Sequence, residues 1–227
     1  MSLNVAWILF DFGGCLDSDG VHSRKLFFDQ FVKNELVTSN QNTLFQEAYS
    51  YSDQKVIGES LIVNFNLQAM NERMCFYIAE KLNSSDEKKV QQAAIDITQV
   101  QSFYLNRNRM ILEKLTSHYQ LGIISNFSGN LEVILKEFKL DHYFTFVLDS
   151  YHVGFSKPNP EIFKLAISKT NCPSNKLVFI GDNIDRDIMP AKNLGMKTIL
   201  ISDKETTSPA DYTLSTLSSL LEVAQIA

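Results

Sequence analysis

Four stretches of this chain read as strands buried on both faces, and each ends in a polar loop. Val5 to Phe10 is apolar throughout and runs into Asp11-Phe-Gly-Gly14. Tyr119 to Ser125 leads to Asn126, Leu177 to Ile180 leads to Gly181-Asp-Asn183, and Lys197 to Ile201 leads to Ser202-Asp203. Phe144 to Leu148 is a fifth strand. Between them lie helical patterns: Arg109–Leu115, Leu131–Phe138, Glu161–Lys169, and Asp187–Leu194, closed by Gly195. The alternation predicts an α/β fold, a doubly wound parallel sheet with helices on both faces and right-handed crossovers. In such folds the reactive site lies beyond the carboxyl ends of the strands.

Residues 20–105 break the alternation. Leu26, Phe27, Phe31, Val32 and Leu36 recur at helical spacing, as do Leu61, Phe65, Met70, Met74 and Tyr77 less regularly. Ser84 and Glu87 read as a capping box opening a helix through Val90, Ala94 and Ile97. The predicted organisation is an α/β core from residues 1–19 and 106–227, with an inserted helical domain over 20–105. The tail from Ala210 to Ala227 reads as a short strand and a closing helix.

Composition narrows the partners. The 227 residues are 44% apolar and 21% charged, enough for a sizeable core, and the net charge is −5. Without a basic run of five or more, nothing collects phosphates over a wide surface, so no nucleic-acid partner is expected. No apolar stretch reaches the roughly 18 residues of a membrane helix, so no membrane partner is expected either. Cys15, Cys75 and Cys172 are too few and too scattered for a disulfide framework. The N-terminal apolar run is short and has no basic flank, unlike a signal peptide; the expected location is cytoplasmic.

The chemistry lies in the strand-end loops. Asp11 follows one buried strand; Asp182, Asp185 and Asp187 follow another. On neighbouring strands these carboxylates converge, and a hard cation such as Mg²⁺ relieves their repulsion. The plainer reading is helix capping by Asp182 or Asp185. Ser125 and Asn126 supply a hydroxyl and backbone N–H groups suited to phosphate, or ordinary turn chemistry. Lys157 sits in Ser-Lys-Pro-Asn-Pro-Glu161, a loop stiffened by two prolines, with Pro160 suited to a first helical turn.

Taken in order, Asp11, Ser125-Asn126, Lys157-Pro158 and Gly181-Asp-x-x-x-x-Asp187 make the chain resemble the haloacid dehalogenase superfamily, mostly phosphatases with an aspartate nucleophile. The resemblance spans about residues 5–203 and implies a helical cap inserted after the first motif. It implies that Asp11 is the nucleophile and forms an aspartyl-phosphate. Ser125 would bind the transferring phosphoryl group, with Asn126 beside it, and Lys157 would balance charge. The implied cofactor is Mg²⁺, on Asp11, the Gly13 backbone carbonyl, Asp182, and Asp187 directly or through water. The implied partner is a small phosphorylated metabolite, with a sugar phosphate among the candidates; a monomer or small homo-oligomer is expected.

The first motif departs from the family pattern. The second aspartate, which protonates the leaving group in phosphatases of this kind, is Gly13 here, and that acid–base help is worth about 10²–10⁴-fold. Asp17, Asp19 and His22 lie just downstream as substitutes. One alternative is a catalytically weak or inactive protein that binds a phosphorylated ligand. A more distant one is a 2-haloacid dehalogenase. That branch needs no metal, reads Asp-x-Tyr, and carries an early cap arginine, for which Arg24 is the sole candidate. Tyr49, Tyr51, Arg73 and Arg107 are open candidates for contacts from the cap.

Overall fold

The apolar runs form parallel strands: β1 (Trp7–Phe10), β2 (Gln120–Ser125), β3 (Phe146–Asp149), β4 (Leu177–Gly181) and β5 (Lys197–Ile201), and the tail adds β6 (Tyr212–Leu214). The computed structural model describes residues 3–202, 204 and 206–225. Asp203 and the last two residues of the tail lie outside the described residues. The sheet order is β3-β2-β1-β4-β5-β6, and all pairings are parallel. Trp7–Phe10 pairs with Gln120–Ile123 on one side and Leu177–Ile180 on the other. From β1 the chain builds outwards through β2 and β3, then crosses back to build β4 to β6. The carboxyl ends of β1 and β4 therefore flank the switch in strand order, where such sheets form their crevice.

The central strands β1 and β4 are apolar at every position because both faces are covered. Ile8, Phe10, Val178 and Ile180 pack in one apolar cluster; Trp7, Leu9, Leu177 and Phe179 pack in another. The described residues form nine α-helices: α1 (Ser23–Lys33), α2 (Asn42–Ile57), α3 (Leu67–Leu82), α4 (Glu87–Thr116), α5 (Leu131–Glu137), α6 (Ser150–Val153), α7 (Pro160–Thr170), α8 (Met189–Asn193) and α9 (Leu220–Ala224). The first sheet face is covered by the second half of α4, through Ile111, Leu112 and Leu115, together with α5 and α9. The second is covered by α7 and α8, where Phe163 meets Phe179 edge-on at 5.2 Å. Each such large side chain contributes roughly 1.5–3 kcal/mol by leaving water.

The segment between β1 and β2 has an apolar core of its own. Phe27 and Phe31 of α1, Phe45 and Val56 of α2, Met74 and Ile78 of α3, and Ala94 and Ile97 of α4 bury against one another. Two sequence expectations change here. The helical patterns around Val90–Ile97 and Arg109–Leu115 belong to one continuous helix, α4, of 30 residues. Its cap is Asp86, whose side chain accepts from the Lys89 N–H at 3.1 Å, so Ser84 does not open it.

Candidate active site

The ends of β1, β2 and β4, with the Lys157 loop, bring the sequence-selected residues together. Asp11 follows β1 and caps a single wide turn over Phe12–Leu16. Its Oδ1 accepts from the Phe12 N–H at 2.7 Å and from the Ser125 hydroxyl at 2.8 Å, and pairs with Lys157 Nζ at 2.8 Å. Among the described residues, no hydrogen bond reaches Asp11 Oδ2. Lys157 is 4% exposed, and its Nζ also meets Asp187 Oδ1 at 2.6 Å. Burial opposes the charge on Lys157, yet Asp11 and Asp187 together hold its pKa above that of an ordinary lysine. Asn126 fixes this loop reciprocally: its Oδ1 accepts from the Lys157 N–H at 2.7 Å, and its Nδ2 donates to the Lys157 carbonyl at 2.8 Å. The Asn126 side chain is thus spent on placing Lys157.

Asp11, Asp182 and Asp187 each offer a carboxylate oxygen, and the three lie within 4.8 Å of one another. Burial first, then Asp11 and Asp187, pushes Asp182 well above the ordinary carboxylate range. Burial also raises Asp187, to about 6, against the pull of Lys157. Both Asp187 oxygens are engaged, Oδ1 with Lys157 and Oδ2 with the Asn183 N–H at 3.0 Å. No described residue donates a hydrogen bond to Asp182. Crowded hard oxygens, two of them lacking donors, fit a Mg²⁺ ion held mainly by Asp11 and Asp182, with Asp187 in support. Two glycines permit the crowding. Gly14 has φ +86°, and a Cβ there would collide with the Asp182 carboxylate; a Cβ on Gly181 would lie 2.5 Å from Asp187. The capping reading of Asp182 and Asp185 gives way to Asn183, whose Oδ1 accepts from the Asp185 and Arg186 N–H groups.

Gly13, Ser125, Asn126 and Lys157 line a cavity of about 330 Å³ that also reaches α1, α2, α3 and α4. Asp17 lines it as an acceptor. It takes bonds from the Gly14 N–H, the Ser18 hydroxyl and Gln101 Nε2, all at 2.7–2.8 Å, and burial raises it to about 6. Asp19 points elsewhere, pairing with Arg107 and the Leu217 N–H. His22 does face the cavity, where its Nε2 meets Arg186. Burial and the neighbouring Arg186 and Arg24 lower it to about 4, so it is neutral at pH 7. Of the candidate cap contacts, Tyr49 lines the cavity; Arg73 pairs with Glu59, and Tyr51 lies in a separate surface groove. Arg186 and Asp53 line the cavity too, and sequence reasoning missed both. Cys15 packs at 0% exposure with its Sγ on the Ile180 carbonyl, and burial raises its pKa, so it is inert filling.

The chain is similar to known proteins over much of its length. A stretch of 118 residues is 37% identical to the glyceraldehyde 3-phosphate phosphatase of Pyrococcus furiosus, covering 47% of this chain and 48% of that one. Another of 88 residues is 38% identical to the rhythmically expressed gene 2 protein of Drosophila melanogaster, covering 37% and 34%. The matches thus span less than half the length of these relatives. Among solved structures, a dehalogenase with its intermediate complex superposes with a TM-score of 0.66 at 20% identity, over 97% of both chains, which shows a shared fold. The family model described as haloacid dehalogenase-like hydrolase matches residues 8–201, and the chain belongs to that family.

Proposed function

We propose that the protein is a Mg²⁺-dependent phosphatase of a small phosphorylated metabolite, working through an aspartyl-phosphate on Asp11. The observation that carries this reading is the state of Asp11: Oδ1 is held by three donors, no described residue donates to Oδ2, and a carboxylate oxygen of Asp11 lies within 4.8 Å of one from Asp182. One oxygen of the Asp11 carboxylate attacks phosphorus, and the ester P–O bond breaks with its electron pair leaving on the ester oxygen. Water then cleaves the acyl phosphate, which frees Asp11 and releases inorganic phosphate. Ser125 and Lys157 hold the Asp11 carboxylate in place, and Lys157 offsets charge on the phosphoryl oxygens. Bound by Asp11, Asp182 and the Gly13 carbonyl, with Asp187 in support, Mg²⁺ would supply neutralisation of the transferring phosphoryl charge. Gly13 gives the leaving oxygen no proton, and Asp17 is held as an acceptor, so water serves as the acid. Residues 20–105 act as a cap over the strand ends, above a core of 1–19 and 106–227.

The test is phosphate release from p-nitrophenyl phosphate, with and without Mg²⁺, beside Asp11→Asn protein shown by circular dichroism to be folded. The expected result is release that needs Mg²⁺ and falls by roughly 10³-fold or more in the variant. Equal release from both proteins would remove Asp11 as nucleophile. No release from either would favour the phospho-ligand-binding reading, and halide release from a 2-chloro acid without metal would favour the dehalogenase.

A further inference from the structure

Two arginines of the cavity make no hydrogen bond or ion pair to the phosphoryl-site residues. Arg24, at the start of α1, and Arg186, in the loop after β4, both line it. Neither forms an ion pair with a described residue. The Nε of Arg24 is buried without a hydrogen-bond partner, while its guanidinium lies 5.6 Å from the Tyr49 ring centroid. Arg186 donates to His22, which is neutral at pH 7 and so cancels none of the charge. Asp53 is the one carboxylate here that both arginines influence. Asp17 lines the cavity as well, with its own donors in Gly14, Ser18 and Gln101, so Asp53 is the carboxylate left to share the two guanidinium groups. Both arginines are half-buried, the buried Arg24 Nε is a donor still to be satisfied, and a guanidinium's planar fork fits a carboxylate.

Resting on the phosphatase reading of the same cavity, we infer that the substrate is a phosphorylated carboxylic acid whose carboxylate is held by Arg24 and Arg186. With Asp17 and Asp53 also lining the cavity, a monoanionic carboxylate meets less repulsion there than a second, doubly charged phosphate would. The two arginines come from different parts of the chain, one from the helical segment and one from the sheet. A carboxylate between them would therefore tie these parts together over the bound phosphoryl group.

The test compares kcat/KM at pH 8 for phosphoglycolate, the neutral analogue 2-hydroxyethyl phosphate, the cationic O-phosphoethanolamine, and ethylene glycol bisphosphate. Phosphoglycolate should exceed 2-hydroxyethyl phosphate by roughly 10- to 100-fold, as expected for charge-assisted hydrogen bonds, with O-phosphoethanolamine slowest. Arg24→Gln and Arg186→Gln should each cut the phosphoglycolate to 2-hydroxyethyl phosphate ratio about tenfold or more, mainly through KM. Equal handling of these two esters by the native protein, or an unchanged ratio in both variants, overturns the inference. Preference for the bisphosphate overturns the carboxylate assignment. Calorimetric binding of the same compounds to the Asp11→Asn protein separates this inference from the reading beneath it. If no ester is hydrolysed, the phosphatase reading fails. The order of affinities then decides the arginine inference, and no preference for phosphoglycolate overturns it.

Discussion

In the proposed phosphatase reaction Gly13 takes the place of a proton donor, and its backbone does not require glycine. Its φ and ψ are −72° and 124°, open to any L residue, and a Cβ there would approach only the Ser23 hydroxyl, at 3.0 Å. Gly13→Asp is therefore expected to fold and to raise turnover of alkyl phosphates at least tenfold more than that of aryl phosphates. Alkoxides need the proton and aryl oxides need it little. Parallel gains on both classes, measured as kcat, would show that proton supply is not what limits the reaction. Residue by residue, much of this site was legible in the sequence. Asp11, Ser125, Lys157, Asp182 and Asp187 each follow an apolar run or a proline-stiffened loop, and these local signals survive folding. Arg186 and His22 were not legible as partners, because 164 positions separate them and nothing in either local pattern marks the pairing.

At the scale of elements, strands were easier to read than the long helix. A strand buried on both faces is apolar at every position, whereas α4 buries polar side chains that interrupt its stripe. Asp96 takes bonds from Lys33 and Asn34, Gln101 bridges Asn71 and Asp17, and Asn108 donates to the Leu16 carbonyl. Each of these contacts is long-range, so the sequence alone suggests two helices where one exists. Next to them, Arg107 grips Asp19 with two nitrogens, and the Leu217 N–H shares the same carboxylate. Asp19 is 8% exposed, and its removal leaves the Leu217 N–H without its acceptor and Arg107 without its ion pair, held only by the Asn108 Oδ1 and the Tyr104 ring. Asp19→Ala should cost about 3 kcal/mol in urea unfolding. A loss under about 1 kcal/mol would mean that α4 is held in place by its apolar contacts alone.

For the whole molecule, burial of carboxylates sets a pH dependence. Burial raises Asp17 to about 6 and Asp53 to about 7, from ordinary values near 4. The folded chain thus holds these protons more tightly than the unfolded chain does. Their stabilising contribution is complete below about pH 4 and is lost as pH rises towards 7. In metal-free buffer, the fall in Tm from pH 5 to pH 7.5 should be smaller in Asp53→Asn than in the native protein; an equal or larger fall would sink this account. Helix α4 carries a separate consequence. At about 1.5 Å per residue its 30 residues form a rod of roughly 45 Å, whose first half belongs to the helical core and whose second half lies on the sheet. The two halves are therefore keyed like a shaft. One residue inserted between Gln101 and Arg107 would turn one half about 100° against the other and swing Gln101 away from Asp17. Length change, so readily absorbed in the loops of other parts of this chain, is forbidden here, and any exchange of the helical segment with that of a relative must conserve the phase of this one helix.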